Sequence, residues 1–368
     1  MQIFIIVAAV ILVIALQLTL QHRQTGRLVC DVYADTDHAE PDEQFNIVIR
    51  IENPSLVIFP FVRFRVLIPD DMTVHSDVRA VNHPPSSVEV SGSTVLWPRR
   101  VFERRITVSA PKRGNHRFGS FSIETGDFLG FKEYRKEFIR FNSVAIFPRP
   151  VPGVNIEETL GSILGDYSVR RYLFEDPVLI SGFREYTGRE PMRSISWLQS
   201  AKTGRLMVKK HDFTSEMSVS VLLDSEGDRE IQEICFSLAR SVCDILEDKK
   251  TEYDFYLNST IGGANCRQHY FSKGLGSGQR TGILKQLAMA VDTCDFSGEE
   301  LIGRVQKSSM STPGVIFISA HRDSGKEKML AKLAEGGQTS VSAIYAEDYL
   351  NENAGGEASP DRLEGEAV

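Results

Sequence analysis

Cysteine is scarce in this sequence. The five cysteines among 368 residues are odd in number and include no CxxC pair; they are Cys30, Cys235, Cys243, Cys266 and Cys294. Their number and scatter argue against a disulfide scaffold and favour a reducing compartment. We expect Cys235 and Cys243 to lie on the buried face of a helix, where cysteine behaves as a small apolar residue.

An excess of positive charge is also lacking. The 42 Lys and Arg residues are outnumbered by 49 Asp and Glu residues, which gives a formal net charge of −7. A protein built to neutralise a phosphate backbone needs the opposite balance, although local basic patches remain possible. We therefore expect no nucleic-acid partner, and nothing in the sequence indicates a small-molecule substrate.

Recognisable catalytic motifs are lacking as well. No Gly-x-Ser-x-Gly elbow is present, and the serines of the most basic segment, Ser194 and Ser196, are distant in sequence from His211 and His269. We predict a non-enzymatic protein. An uncharacterised hydrolase whose triad assembles only in space remains an alternative.

Residues 320–327 nearly match a phosphate-binding P-loop. Glu327, however, stands where the motif needs a hydroxyl to hold Mg²⁺, and its carboxylate would face the bound phosphates. We predict that this segment binds no nucleotide.

The amino terminus carries the longest apolar run, from Ile3 to Leu16, and Leu18 and Leu20 extend it. The run approaches the roughly 20 residues that span a bilayer. No Lys or Arg precedes it, no A-x-A cleavage pattern follows it, and the first arginines come just after it. These features predict a single-pass anchor in the cell membrane over residues 1–21. The positive-inside bias places the following domains in the cytoplasm. A cleaved signal peptide is the alternative.

Two different sequence patterns follow this apolar run. Over residues 28–150 apolar and polar residues alternate in short stretches separated by turns, which predicts an immunoglobulin-like all-β sandwich. From residue 218 to 350 strand patterns alternate with helix patterns, which predicts a doubly wound α/β domain. Residues 151–217 form a connector and motif region between them, and the Gly-rich acidic tail 351–368 is expected to be disordered.

The segment Gly182–Lys210 is dense in cations but interleaved with aromatic and aliphatic residues. Pro191 and Gly204 predict the two ends of a helix whose apolar face holds Ile195, Leu198 and Ala201. One interpretation is a docking helix whose long cations extend over apolar surface. The other is an anion or partner-protein site built from Arg184, Arg189, Arg193, Lys202 and Lys209.

A pattern within this segment is similar to the signature of the domain-of-unknown-function-58 family. It consists of Arg184-Glu185-Tyr186, Arg193-x-Ile195-x-Trp197, Ala201-Lys202 and Leu206-x-Val208-Lys209. The family's paired acids after a Gly are matched only approximately by Gly188 and Glu190, and Ser196 replaces its acid before the Trp. The resemblance implies a von Willebrand factor A-like domain and a MoxR-type AAA+ ATPase as partner. Among the signature residues we expect contacts from Arg184, Tyr186, Gly188, Arg193, Trp197 and Lys209, which either hold the A-like domain to the sandwich or present a basic-aromatic face to a partner.

The first strand of the α/β region ends in Asp224-Ser225-Glu226-Gly227-Asp228. This loop resembles the Asp-x-Ser-x-Ser metal loop of von Willebrand A domains, with Glu226 and Asp228 in place of the two serines. Oxygen ligands suit a hard cation such as Mg²⁺, so Asp224, Glu226 and Asp228 are candidate ligands. Alternatively, the three carboxylates repel one another and remain solvated.

The predicted fold is thus multi-domain: a transmembrane helix, a β-sandwich and a von Willebrand A-like α/β domain. The predicted function is that of a membrane-anchored, non-enzymatic scaffold that works with a MoxR-type AAA+ ATPase in assembling or activating a membrane or envelope complex. A metal-dependent adhesion module outside the cell is the main alternative, and it requires the opposite membrane topology.

Overall fold

The computed structural model describes residues 4–5, 28–76, 79–83, 86–126, 133–151, 175–188, 190–213, 218–262, 268–307, 314–335 and 339–350. The chain divides into two compact units. We call them the sandwich unit, which comprises residues 1–149 with 284–290, and the C-terminal unit, which comprises the remainder.

The sandwich unit contains two sheets, and most of their strands pair antiparallel. One sheet has the order β1-β3-β8-β5 and the other the order β2-β10-β9-β4-β7-β6. The strands are β1 (Val29–Ala34), β2 (His38–Ala39), β3 (Phe45–Glu52), β4 (Phe59–Pro69), β5 (Thr73–Val74), β6 (Arg79–His83), β7 (Ser87–Leu96), β8 (Val101–Ser109), β9 (Gly114–Gly126) and β10 (Glu133–Ile146).

The core of this unit follows from the alternating pattern of the sequence. Successive side chains of a strand point to opposite faces, so every second residue of β3 and β4 faces inward. Ile47 and Ile49 of one sheet and Val62 and Val66 of the other belong to a single buried cluster. The predicted β-sandwich is therefore confirmed.

The buried His116 of this unit forms an ion pair with Asp71, which is partly exposed. His116 Nδ1 lies 3.0 Å from Asp71 Oδ2, and its Nε2 lies 3.0 Å from the Lys112 carbonyl oxygen. Burial lowers the pKa of His116, but the hydrogen bond and charge of Asp71, with the Lys112 carbonyl, outweigh it and raise the pKa above its ordinary 6.5. The His116 hydrogen bond likewise holds the pKa of Asp71 below its ordinary 3.8.

This pair predicts a pH-dependent stability. A raised histidine pKa contributes stability that is present in full below pH 6.5 and is lost as the pH rises through the higher, folded-state pKa. Asp71→Asn should lower the free energy of unfolding at pH 6 by only about 1 kcal/mol, because Asp71 is partly exposed. It should also flatten the decline of this free energy at alkaline pH, because Asp71 no longer raises the pKa of His116. Denaturant unfolding from pH 5 to 9 measures this. The neighbouring exposed carboxylate variant Asp70→Asn should retain the wild-type profile; identical profiles for all three proteins would contradict the prediction.

The C-terminal unit is built on a five-stranded sheet of order β16-β14-β13-β18-β19. Strands β14, β13, β18 and β19 run parallel, and β16 pairs antiparallel with β14 at one edge. The strands of this unit are β11 (Glu175–Glu185), β12 (Met207–Phe213), β13 (Ser218–Leu223), β14 (Glu252–Leu257), β15 (Ser259–Ile261), β16 (Tyr270–Gly274), β17 (Ala290–Cys294), β18 (Gly314–Ser319) and β19 (Ser340–Tyr345). The helices are α1 (Trp197–Thr203), α2 (Arg229–Asp248), α3 (Ser277–Met289), α4 (Gly298–Lys307) and α5 (Ser324–Glu335). Residues 284–289 of α3 and the first residue of β17 belong to the sandwich unit.

Helices α2, α4 and α5 cover this sheet with apolar residues at helical spacing. Cys235 and Cys243 of α2 are fully buried, which confirms their predicted position, and burial raises the pKa of the Cys235 thiol to about 12. Residues of α4 and α5 pack with Leu222 and Phe317 in a second buried cluster. The sheet is thereby left with a carboxyl edge, formed by the ends of its parallel strands.

Two parts of the predicted fold class are corrected. The predicted anchor over residues 1–21 lies outside the described residues except for Phe4 and Ile5, and none of the described helices is long and apolar enough to cross a bilayer. The single-pass localisation at the cell membrane is therefore withdrawn. The predicted tail 351–368 also lies outside the described residues.

The assignment of a doubly wound von Willebrand A-like domain is the second correction. The described chain is mostly β-strand, and the C-terminal unit contains antiparallel pairs that a doubly wound parallel sheet does not require. Strands β11 and β12 form a separate two-stranded ribbon, β15 pairs with β17, and β16 is antiparallel. Sequence periodicity detected the individual strands but did not determine their direction or partners.

Candidate functional site

The cation-rich stretch from residue 182 to 210, called the basic-aromatic segment below, folds as a ribbon with a helical insertion. Strands β11 and β12 pair antiparallel, and a 3₁₀ turn (Met192–Ser194) and α1 lie between them. Ile195 forms a β-bridge with Val208, and the Ser196 N–H donates to the Met207 carbonyl at 2.8 Å. These bonds attach the insertion to the ribbon through its buried residues.

The helix begins later than the sequence predicted. Pro191 precedes the 3₁₀ turn, and α1 starts at Trp197 because Ile195 is held in the bridge. Gly204 follows the last residue of α1 with φ +69°, the left-handed conformation that glycine adopts most readily, which confirms the predicted end.

The predicted apolar face of this helix is wrong. Ile195 is buried but lies outside α1, whereas Leu198 is 71% exposed and α1 has no buried residue. A helix that docks must bury one face, so the docking interpretation fails for α1. The exposed side chains leave the interpretation as a partner surface open.

The family-signature residues occupy different environments. Arg184 donates to Glu190 at 2.5 Å, and hydrogen bonds from Thr187 and Arg184 lower the pKa of Glu190 to about 2. The Tyr186 N–H donates to the Leu206 carbonyl, and Gly188 has φ +88° with open space around it.

The other signature residues differ in their exposure. Arg193 and Trp197 are exposed, Lys209 is half-buried, and Arg189 lies outside the described residues. Arg184, Tyr186 and Gly188 therefore shape the segment, whereas Arg193 and Trp197 face solvent.

Three large apolar side chains are exposed in the helical insertion. Met192, Trp197 and Leu198 are 66%, 62% and 71% exposed, within seven consecutive residues. Phe183 and Leu206 of the same segment are also exposed. Exposed apolar side chains are common singly, but a group of large ones in one short segment is typical of a contact surface.

The second candidate lies at the carboxyl edge of the five-stranded sheet. Asp224 directly follows β13, Asn258 directly follows β14, and Ser319 is the last residue of β18. Ends of parallel strands meet at one edge, and ligands of open α/β sheets bind outside it. Asp224 is fully buried at this edge.

Four donors surround the Asp224 carboxylate. Asn258 Nδ2 and the Glu226 N–H donate to Oδ1 at 2.7 and 3.2 Å, and Ser319 Oγ and Lys326 Nζ donate to Oδ2 at 3.0 and 2.6 Å. A carboxylate offers about four acceptor positions. The hydrogen-bonding capacity of Asp224 is therefore filled by the chain itself.

Lys326, the third residue of α5, also binds the second predicted metal ligand. Its Nζ lies 2.7 Å from Glu226 Oε2, and its side chain is only 12% exposed. Burial lowers the pKa of Lys326, but the hydrogen bonds to Asp224 and Glu226 outweigh it and raise the pKa above its ordinary 10.5. Asp228 is exposed at the amino end of α2 instead. The structure thus unites Asp224 and Glu226 around an ammonium and leaves Asp228 apart.

Sequence reasoning missed Asn258, Ser319 and Lys326 as members of this cluster. A signal was present for two of them, because Asn258 and Ser319 are polar residues where buried strands end. In the sequence, Lys326 belongs only to the near P-loop pattern. Its ammonium is committed to carboxylates, and the Gly325 N–H donates to Asp323 Oδ1 at 2.9 Å, so neither group remains for a phosphate.

The hydrolase alternative gains no support from His269 or His211, the two histidines that the sequence offered for it. His269 Nε2 lies 3.0 Å from Asp295 Oδ2, and its buried Nδ1 has no hydrogen-bond partner among the residues that the structure describes. A nucleophile needs a hydrogen bond to its base, and neither ring nitrogen makes one to Ser or Cys. The side chain of His211 lies outside the described part of the chain.

No family model matches the sequence, and no curated protein matches it. Several solved structures resemble about one third of the chain. One is a CARDB domain from Pyrococcus furiosus, with 11% identity and a TM-score of 0.22, covering 32% of this chain and 88% of that domain. Another is a cohesin module from Clostridium perfringens, with 12% identity and a TM-score of 0.23, covering 32% and 94%.

A non-cellulosomal cohesin from Archaeoglobus fulgidus is a third such structure. It has 15% identity and a TM-score of 0.20, and the match covers 36% of this chain and 96% of the cohesin. TM-scores at this level establish neither a shared fold nor a shared function.

Proposed function

We propose that this protein is a non-enzymatic adaptor that binds another protein through its basic-aromatic segment. The observation that carries the proposal is the exposure of Met192, Trp197 and Leu198 on the insertion between β11 and β12. Covering such side chains releases about 25 cal/mol for each Å² of apolar surface removed from water. A ribbon of two strands with a seven-residue helix is too small to cover them itself.

The charges of the segment indicate the chemistry of the partner. Arg193 and Lys202 are exposed in the same segment as these apolar side chains. Trp and Arg are the residues that most often dominate binding energy when an interface buries them. A partner surface with an apolar pocket rimmed by carboxylates complements this arrangement, and its negative charge would speed the encounter.

The resemblance to the domain-of-unknown-function-58 family suggests the identity of the partner protein. It implies a MoxR-type AAA+ ATPase, and we propose that the adaptor presents such an ATPase to a protein complex that the ATPase assembles or activates. The exposed position of Arg193 and Trp197, two signature residues, supports a contact role for that signature. The membrane anchor is not part of this proposal.

A binding titration tests the proposal with the chain's own internal control. The protein has two tryptophans, Trp197 in the segment and Trp97 in the sandwich unit, and they are 62% and 61% exposed. Trp197→Ala should weaken binding to a purified MoxR-type ATPase by about 30-fold or more, the effect of losing an interface anchor. Trp97→Ala removes an equally exposed ring elsewhere and should leave affinity within about twofold.

Two further variants extend the test along the insertion. Leu198→Ala should weaken binding similarly, and Arg193→Ala should also make the association rate less dependent on salt, because a charge that steers encounter is removed. Circular dichroism melting checks that each variant is folded. Undiminished binding by all three segment variants would contradict the proposed surface.

A further inference from the structure

The donors at the carboxyl edge do not fit the Mg²⁺ ion that the sequence suggested. Mg²⁺ takes oxygen ligands at about 2.0–2.1 Å in near-octahedral geometry. Both oxygens of Asp224 already accept two hydrogen bonds each, and Asp228 is exposed away from the cluster. Within the described ranges, no group of three or more His, Cys, Asp or Glu side chains has the arrangement of a metal site.

An ammonium group occupies the position between the two carboxylates. Lys326 Nζ lies 2.6 Å from Asp224 Oδ2 and 2.7 Å from Glu226 Oε2, so it contacts both groups that would hold a cation. A divalent ion bound to the same oxygens would lie against this positive charge and beside the fully buried Asp224, where repulsion between cations is strong. The ammonium and the metal ion therefore exclude each other.

The backbone around this ion pair is closely packed. A Cβ atom added at Gly298, the first residue of α4, would lie 2.3 Å from Asp224 Oδ2 and 2.9 Å from Lys326 Cε. The Gly298 N–H also donates to Glu226 Oε2 at 3.2 Å. The first residues of α4 thus pack directly against the Asp224 carboxylate and the Lys326 side chain.

We infer that Lys326 is a built-in cation that takes the place of a divalent metal at the carboxyl edge of the sheet. The carboxylates at the end of β13 are neutralised by the chain itself, and the edge keeps its structure without divalent cations. This property is independent of the proposed partner surface. It predicts that removing the ammonium uncovers a latent metal site.

The test is the binding of Mn²⁺, a spectroscopic substitute for Mg²⁺, followed by electron paramagnetic resonance and by thermal shift. Wild type should bind no Mn²⁺ at this edge. Lys326→Met should gain one Mn²⁺ per chain, bound at least about tenfold more tightly than any ion on wild type, with a rise in melting temperature. Glu226→Gln in the Lys326→Met background should abolish the gain, and Lys328→Met, which removes an exposed lysine of the same helix, should produce none.

Two results would overturn the inference. One is a wild-type protein that binds one Mn²⁺ and loses it on Glu226→Gln, which would show a metal site despite the lysine. The other is a folded Lys326→Met variant that binds no Mn²⁺. If Lys326→Met does not fold, Lys326→Gln replaces it in the same assay, and the titration of wild type against Glu226→Gln decides the first point by itself.

Discussion

In metal-free buffer at pH 7, Lys326→Met should lower the free energy of unfolding of the C-terminal unit by about 3–5 kcal/mol. The substitution keeps the length of the side chain but leaves Asp224, which is fully buried, and Glu226 beside it without a positive partner. Removing one member of a buried ion pair is costly because the remaining charge has already lost its hydration. Denaturant unfolding followed by circular dichroism measures the change.

Two comparisons isolate this effect. Lys328→Met, on the exposed side of the same helix, should change stability by no more than about 0.5 kcal/mol. Combining Lys326→Met with Asp224→Asn should recover part of the loss, because the buried charge is then removed along with its partner. Equal stability of the Lys326→Met and Lys328→Met proteins would mean that the ammonium does not neutralise the edge.

Gly298→Ala should be the second strongly destabilising change, with a loss of about 2–3 kcal/mol. The added methyl group would come within 2.3 Å of Asp224 Oδ2, and the nearby Lys326 side chain cannot retreat without breaking its ion pair. Thermal and denaturant unfolding measure the loss.

The same helix offers a control with the opposite sign. Gly303 lies in the interior of α4 and an added Cβ would meet no atom within 4 Å. Gly303→Ala should therefore raise stability by up to about 1 kcal/mol, because alanine is the better helix former. A Gly298→Ala protein as stable as Gly303→Ala would show that α4 does not close tightly over the ion pair.

Local periodicity predicted those elements whose burial is decided by neighbouring residues. The alternation of Phe45, Ile47, Ile49 and Ile51 gave β3, and the helical spacing over residues 229–250 gave α2, which ends at Asp248. The start of α1 was not predictable in this way, because the bridge from Ile195 to Val208 takes Ile195 out of the helix. Hydrophobicity alone also misled at Leu198, since an apolar side chain at a surface helix suits a partner as well as a core.

The carboxylate cluster at the carboxyl edge likewise contains residues that the sequence could predict and one that it could not. Asp224 and Glu226 are two residues apart, so the sequence could predict a carboxylate cluster and its position after a strand. The cation that neutralises them is 102 residues away from Asp224, on a helix that follows another strand of the sheet. Only the neighbouring positions of β13 and β18 bring the two together. A loop sequence can therefore suggest a metal where the fold supplies a lysine.

The most direct test of the proposed adaptor role is the affinity of the Trp197→Ala and Trp97→Ala proteins for one MoxR-type ATPase, measured side by side. Because the two rings are equally exposed, general loss of apolar surface affects both variants alike. The adaptor account predicts a loss of about 30-fold or more for Trp197→Ala and nearly wild-type affinity for Trp97→Ala. Equal affinities for the two variants, or no binding by the wild-type protein, would contradict it.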